Sequence, residues 1–252
     1  MNVLIRKSKK SFYHKKNLII KLIILVLIWL LSFYVLSVKF WEGDINVSYW
    51  IFIIDILRWF SVWATIISLI WSSWILFFLT KKNNIQLITS YNFKAFSLVY
   101  NLLAAIIFWC GIFRYGWNEY IVKRTEESLS FSATLIGHLI IPILLLIYFI
   151  IYCDYFKINR TYYKKDFWLV LIFPFLYAIF MLFRSFYLIH QYKIKGINLN
   201  DHLVFISPYW FLSWFIYGWG YWIGSMLFFV IITLFLTLII NTINNLIVKK
   251  NK

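Results

Sequence analysis

The sequence predicts an all-α, polytopic integral membrane protein, a bundle of six transmembrane helices with both termini in the cytoplasm. Of its 252 residues, 63% are hydrophobic and only 13% are charged, whereas soluble domains carry about 25% charged residues. Apolar runs of about 20 residues, long enough to cross about 30 Å of hydrocarbon, recur along the chain. Basic residues are also distributed unevenly between successive loops, as the positive-inside rule requires.

The first span is Leu18–Val38, and we interpret it as an uncleaved transmembrane helix. It is too long for the apolar core of a signal peptide, and Lys39-Phe40-Trp41 follows where a cleavage site would need small residues. The chain then divides into a basic cytoplasmic segment (1–17), one six-helix membrane domain (18–248) and a basic cytoplasmic tail (249–252).

The second and third spans are Ile56–Leu79 and Ala95–Phe113. The second carries Ser61, Thr65 and Ser68 at intervals of four and three residues, which places them on one helix face. A hydroxyl side chain in a membrane helix commonly bonds back to the carbonyl four residues earlier. These residues therefore have a structural explanation beside a functional one.

The fourth span, Ala133–Cys153, contains His138 and, four residues later, Pro142. Because proline has no N–H, the carbonyl of His138 has no α-helical donor. An ionisable group in hydrocarbon is costly, so His138 is either a functional group or a hydrogen-bonding partner between helices. A rise of about 1.5 Å per residue puts Thr65 and His138 at similar depths.

The fifth span is Phe167–Ile189, with Arg184 near its outer end as a candidate to hold an anionic group. The following segment, Val204–Trp222, is apolar but crowded with aromatic residues and interrupted by a proline and two glycines. It is either an interfacial segment or a re-entrant cap over a cavity. The sixth span is Ile223–Ile247.

The predicted spans assign the residues that give the net charge of +16 to the two faces of the membrane. Seventeen basic residues fall on the side of the termini and eight on the other, which predicts a multi-pass protein of the plasma membrane with cytoplasmic termini. The expected partners are membrane lipids rather than nucleic acid. Cys110 and Cys153 are predicted near opposite membrane faces, so we expect no disulfide between them, no metal site and no cofactor.

Four short strings carry a family resemblance. Trp63–Trp71 (WATIISLIW) resembles the T-x-x-[DN]-L motif of the androgen-induced and androgen-dependent membrane proteins, which hydrolyse fatty acid esters of hydroxy fatty acids. Gly137–Leu146 resembles the H-x-x-x-P pattern of their six-span, mollicute-type bacterial relatives. Phe173–Arg184 and Ser207–Leu212 resemble the P-x-x-Y…R and Y-P-Y-x-F-L strings of those relatives. The order and approximate spacing agree over more than half of the chain.

The resemblance implies a catalytic pair, Thr65 and His138. His138 would take the hydroxyl proton, Thr65 would attack an ester carbonyl, and water would hydrolyse the acyl-enzyme. Arg184 would hold a free carboxylate, and Ser68 and Tyr177 would complete the substrate site. Ser68 stands where the family carries Asp or Asn, and the acidic residue usual shortly after the proline is missing. Both departures remove groups that would orient a base.

Three functions remain open at this point. The first is an intramembrane lipid esterase that uses Thr65 and His138. The second is a substrate-binding subunit of a transporter, although such subunits dock through small residues on a first helix that here has no Gly or Ala between residues 18 and 38. The third is a non-catalytic structural or lipid-interacting protein in which the same two residues pack helices. The distance between the Thr65 hydroxyl and the His138 ring discriminates between the first and the third.

Overall fold

The computed structural model describes residues 2–41, 49–80, 91–115, 128–151, 158, 160–196, 198–199 and 206–250. Within these residues the chain is helical and has no strand. Its α-helices, in chain order, are α1 (Asn2–Trp41), α2 (Tyr49–Ile56), α3 (Phe60–Thr80), α4 (Tyr91–Tyr115), α5 (Ser128–Leu135), α6 (Ile141–Ile151), α7 (Arg160–Lys165), α8 (Ile172–Ile194), α9 (Trp214–Tyr217) and α10 (Trp219–Lys250). A π-helical turn (Ile136–Ile140) joins α5 to α6, and 3₁₀ turns precede α8 (Phe167–Leu171) and α9 (Trp210–Leu212).

Six stretches of the described chain are helical, long and apolar enough to cross a membrane: Leu18–Trp41, Phe60–Phe77, Tyr91–Arg114, Ser130–Ile151, Phe167–Ile194 and Trp219–Lys249. The prediction of an all-α, multi-pass membrane protein with six spanning helices is therefore confirmed. The side of the membrane on which the termini lie stays a prediction.

The second span begins at Phe60, four residues after its predicted start at Ile56. α2 ends at Ile56, a turn follows, and α3 begins only at Phe60, so Arg58 lies in the turn rather than on the spanning helix. Arg58 is drawn back to α2 by an ion pair of 2.8 Å with Asp55. Its carbonyl accepts a hydrogen bond from the Tyr177 hydroxyl at 2.5 Å, so the backbone of the turn is bound by another helix.

The other span ends differ more modestly. The third span begins at Tyr91 and the fifth continues to Ile194. The fourth ends at Ile151 in the described chain, so the predicted end at Cys153 lies outside the described residues. The sixth begins at Trp219, directly after Gly218, whose φ of +85° is a conformation that glycine adopts at little cost.

The helices pack around α3 and α4. α3 contacts α1 and α4, and α4 also contacts α6 and α10. The largest fully buried side chains include Trp71, Phe60 and Phe149. The Phe60 ring meets three other rings edge-on or tilted at 5.1 to 5.9 Å, and such aromatic pairs add about 0.5–1.5 kcal/mol beyond area burial. Of the six spans, α10 has the smallest buried share.

The turn before α6 has π-helical register because a proline follows it. Ile141 donates its backbone N–H to the carbonyl of Ile136, five residues earlier. Pro142 has no N–H for the carbonyl of His138, which is the interruption that the sequence predicts. π-Helical turns within α-helices occur frequently at functional sites, and this one carries His138.

Candidate functional site

Thr65 lies inside the bundle on α3, with 1% of its surface exposed. Its hydroxyl donates a hydrogen bond of 2.8 Å to the carbonyl of Ser61 on the same helix. Ser72 makes the same kind of bond, 2.7 Å long, to the carbonyl of Ser68. The backbone hydrogen bond that hydroxyl residues commonly form in membrane helices is therefore present at Thr65.

His138 lies on the π-helical turn, stacked on Phe108 of α4 with ring centroids 4.3 Å apart. Its Nδ1 is 2.8 Å from the carbonyl oxygen of Thr134. A carbonyl oxygen only accepts, so Nδ1 carries the proton and Nε2 of the neutral ring is the acceptor. Within the described residues, no hydrogen bond joins His138 to Thr65. Their proposed catalytic roles stay a prediction.

Ser68 belongs to a buried polar network between α3 and α4. The amide Nδ2 of Asn101 donates to the Ser68 hydroxyl and to the carbonyl of Ser97, each at 2.7 Å. The two serine hydroxyls are 3.3 Å apart. All three residues are fully buried. Sequence analysis missed Asn101 and Ser97, although an asparagine within an apolar span is itself a signal of a helix–helix contact.

Arg184 is buried, and its guanidinium binds the backbone of two other segments. Nη1 donates to the carbonyl of Ile206 at 2.7 Å, and Nε donates to the carbonyl of Ile54 at 3.2 Å. Nη2 lies 3.5 Å from a carboxylate oxygen of Asp55. Tyr177, the other residue predicted to bind substrate from this helix, donates to the backbone beside α3. Both residues therefore hold protein segments together in this structure.

The segment that Arg184 holds is here called the strap, residues 206–217. Tyr209 of the strap accepts a hydrogen bond of 3.1 Å from the backbone N–H of Phe60, the first residue of α3. The first N–H groups of a helix have no partner within it, so Tyr209 satisfies one of them. The two residues are 149 positions apart in the chain, which is why local sequence patterns gave no signal of this contact.

Two apolar cavities flank α10. The first, here called the α4–α10 groove, has a volume of about 380 Å³. It is lined by Leu103, Ile106, Ile107, Cys110, Phe211, Tyr221, Gly224, Ser225, Phe228, Phe229 and Ile232. The second lies between α8 and α10, has a volume of about 370 Å³, and also borders Phe229. Among the residues that the structure describes, no charged side chain lines either cavity.

Small residues open the α4–α10 groove. A Cβ atom placed on Gly224 would meet no atom within 4 Å. Cys110, on the opposite wall, is a free, exposed thiol, whereas Cys153 lies outside the described residues. In the part of the chain that the structure describes, no three His, Cys, Asp or Glu side chains are grouped as metal ligands.

A second polar cluster lies at the end of the bundle where α4 begins. The Tyr91 hydroxyl donates to Oδ1 of Asn241 on α10 at 2.6 Å. The Tyr91 ring also meets the ring of Tyr162 on α7 at 5.9 Å. Burial raises the pKa of Tyr162 to about 12. These contacts bind α7 and α10 to the start of α4.

The chain matches no family model, and no curated protein or solved structure matches it.

Proposed function

We propose that this chain is a lipid-binding integral membrane protein and that the α4–α10 groove takes the hydrocarbon chain of a membrane lipid. The observation that supports the proposal is the groove itself, about 380 Å³ in volume and lined by apolar and small side chains. This volume falls in the range of about 300–1,000 Å³ that is usual for small-molecule sites.

The surroundings of the groove favour an acyl chain as its occupant. Its lining residues on α4 and α10 all belong to spans that are long and apolar enough to cross a membrane. Hydrocarbon is the medium around such helices. A charged head group would lose its hydration in this groove without gaining a charged partner. An acyl chain fills it without that cost.

Thr65 and His138 pack helices under this proposal. Each is hydrogen-bonded to a carbonyl of its own helix, and the Thr65 hydroxyl donates its proton to that carbonyl rather than to a base. Ser68 likewise belongs to the network that joins α3 to α4. The predicted substrate-binding Arg184 holds backbone carbonyls instead of a ligand carboxylate.

The test uses the full chain in phosphatidylcholine vesicles that contain a phospholipid with a photoreactive acyl chain. Gly224→Leu is the decisive variant, because Gly224 lines the groove and a Cβ atom there meets no atom within 4 Å, so the added side chain occupies groove volume. Gly220→Leu is the matched control: it also has nothing within 4 Å of its Cβ position but does not line the groove.

We expect mass spectrometry to find adducts on groove residues of the wild type, several-fold fewer adducts in Gly224→Leu and an unchanged yield in Gly220→Leu. Phe183 of α8 is 70% exposed and lies outside the groove. Labelling spread evenly between Phe183 and the groove, or equal labelling of the two glycine variants, would overturn the proposal.

The intramembrane esterase is a second candidate, and the tautomer of His138 favours it. With Nδ1 bonded to the carbonyl of Thr134, Nε2 is the acceptor that a general base needs. A fluorophosphonate with a lipid-like chain should then form an adduct on Thr65. Thr65→Ala and His138→Ala should each abolish ester hydrolysis while the protein still inserts. Undiminished hydrolysis in either variant would exclude this mechanism.

A further inference from the structure

The wall of the α4–α10 groove that faces the bundle includes one residue from the strap, Phe211. Its ring lies on the ring of Phe229, with centroids 6.2 Å apart and planes inclined by 29°. Phe229 is buried and itself contacts Phe60 in the core. Phe211 and Phe229 therefore form the side of the groove that lies next to the core.

Two hydrogen bonds hold the part of the strap that precedes Phe211, and they fix where Phe211 lies. Arg184 donates to the carbonyl of Ile206, and the backbone of Phe60 donates to the hydroxyl of Tyr209. The Tyr209 ring also stacks on the Phe211 ring with centroids 5.3 Å apart. Contacts with α8 and α3 thus hold the strap at Ile206 and at Tyr209, five and two residues before Phe211.

The other side of the strap is fixed by aromatic contacts. The Trp214 ring stacks on the ring of Trp219, the first residue of α10, with centroids 4.7 Å apart. It also meets the Phe186 ring of α8 at 4.6 Å. Phe211 therefore lies between two anchored points of the strap.

We propose that Phe211 determines the specificity of the groove by limiting how wide a hydrocarbon chain it accepts, and that Arg184 and Tyr209 act as positioning residues for this wall. This inference rests on the proposed lipid-binding function. Arg184 then acts on the groove through its hydrogen bond to the strap, and its guanidinium does not contact the ligand.

The experiment compares two photoreactive phospholipids that differ only in their acyl chain, one linear and one methyl-branched. Phe211→Ala removes the wall, so we expect the ratio of branched to linear labelling to rise several-fold, because the widened groove gives the branched chain packing contacts that the Phe211 ring excludes in the wild type. Phe215→Ala is the control, because Phe215 lies in the strap but does not line the groove. Its ratio should equal that of the wild type.

Tyr209→Phe tests the positioning role. This variant keeps the ring that stacks on Phe211 but removes the acceptor for the Phe60 N–H. We expect the labelling ratio to move in the same direction as in Phe211→Ala, by a smaller factor and with the total yield unchanged. A residue that only stabilised the fold would lower the unfolding temperature and leave the ratio alone.

The outcomes separate this inference from the proposed function. Absence of groove labelling in the wild type by either lipid would overturn both. Groove labelling with the same ratio in the wild type and in Phe211→Ala would overturn the specificity role alone. Phe211→Trp enlarges the wall and should lower the ratio, so the inference stays testable even if Phe211→Ala does not fold.

Discussion

The guanidinium of Arg184 on α8 donates a 2.7 Å hydrogen bond to the carbonyl of Ile206 in the strap. The same group donates to the carbonyl of Ile54 in α2. One buried arginine thus binds two segments that are far apart in the chain. A carbonyl buried without a donor is costly, and the arginine satisfies both.

We predict that Arg184→Gln lowers the free energy of unfolding by about 2–4 kcal/mol, because removal of a buried charged donor leaves its acceptors without a partner. Thermal or denaturant unfolding of the detergent-purified protein measures the loss. Lys193→Gln on the same helix is the control, since Lys193 is exposed. Equal stability of the two variants would show that the contacts with Ile54 and Ile206 contribute little.

Thr65→Val should cost less than about 1 kcal/mol, because the hydroxyl is bonded to its own helix and valine has nearly the same shape. The measurement is the unfolding free energy in detergent. A much larger loss would indicate a partner for the Thr65 hydroxyl on another helix, and the assignment of its hydrogen bond to the Ser61 carbonyl of its own helix would then be wrong.

Asn101→Leu should destabilise the protein by about 1–2 kcal/mol, because it removes the amide that binds Ser68 of α3 to α4. Thr242→Val is a suitable control, since Thr242 is exposed and bonds only within α10. We expect that variant to lie within about 0.5 kcal/mol of the wild type. If the Asn101 variant shows the same small effect, the network does not bind the helices.

The stability of the protein should fall at alkaline pH through Tyr162. Burial raises its pKa to about 12 in the folded protein, against an ordinary value of about 10. Below about pH 10 the phenol keeps its proton in both states, and the contribution is fully present. Between about pH 10 and 12 only the unfolded chain releases the proton, so the free energy of unfolding decreases as the pH rises.

Tyr162→Phe should therefore flatten the dependence of unfolding free energy on pH in this window. Tyr187→Phe is the matched control, because Tyr187 is exposed on α8 and is not part of the Tyr162 cluster, so this variant should keep the slope of the wild type. Parallel pH profiles for the wild type and Tyr162→Phe would show that Tyr162 does not cause the loss of stability at alkaline pH.

For Thr65 and His138, the sequence predicts depth in the membrane but not whether the two side chains meet. Depth along a helix follows from the rise per residue, so both residues could be placed in the membrane. Whether two side chains meet depends on the rotation of each helix and on the rotamer. In the structure both side chains bond to their own helices.

The sequence by itself determined the number and type of the spanning elements. A bilayer forces every spanning segment to be long, apolar and internally hydrogen-bonded, and those requirements are visible in one dimension. It also located the interruption at Pro142, because a missing N–H is a local property.

Only the tertiary structure decided which polar groups meet. Tyr209 and Phe60 are 149 positions apart, and Arg184 and Ile54 are 130 apart. No periodicity records such contacts, since they depend on how the helices are placed against one another. The α4–α10 groove arises in the same way, from the gap that Gly224 leaves opposite α4. The physical reason is that the hydropathy of a segment determines by itself whether that segment spans the membrane. Hydrogen-bond geometry and side-chain volume, in contrast, determine how one segment packs against another.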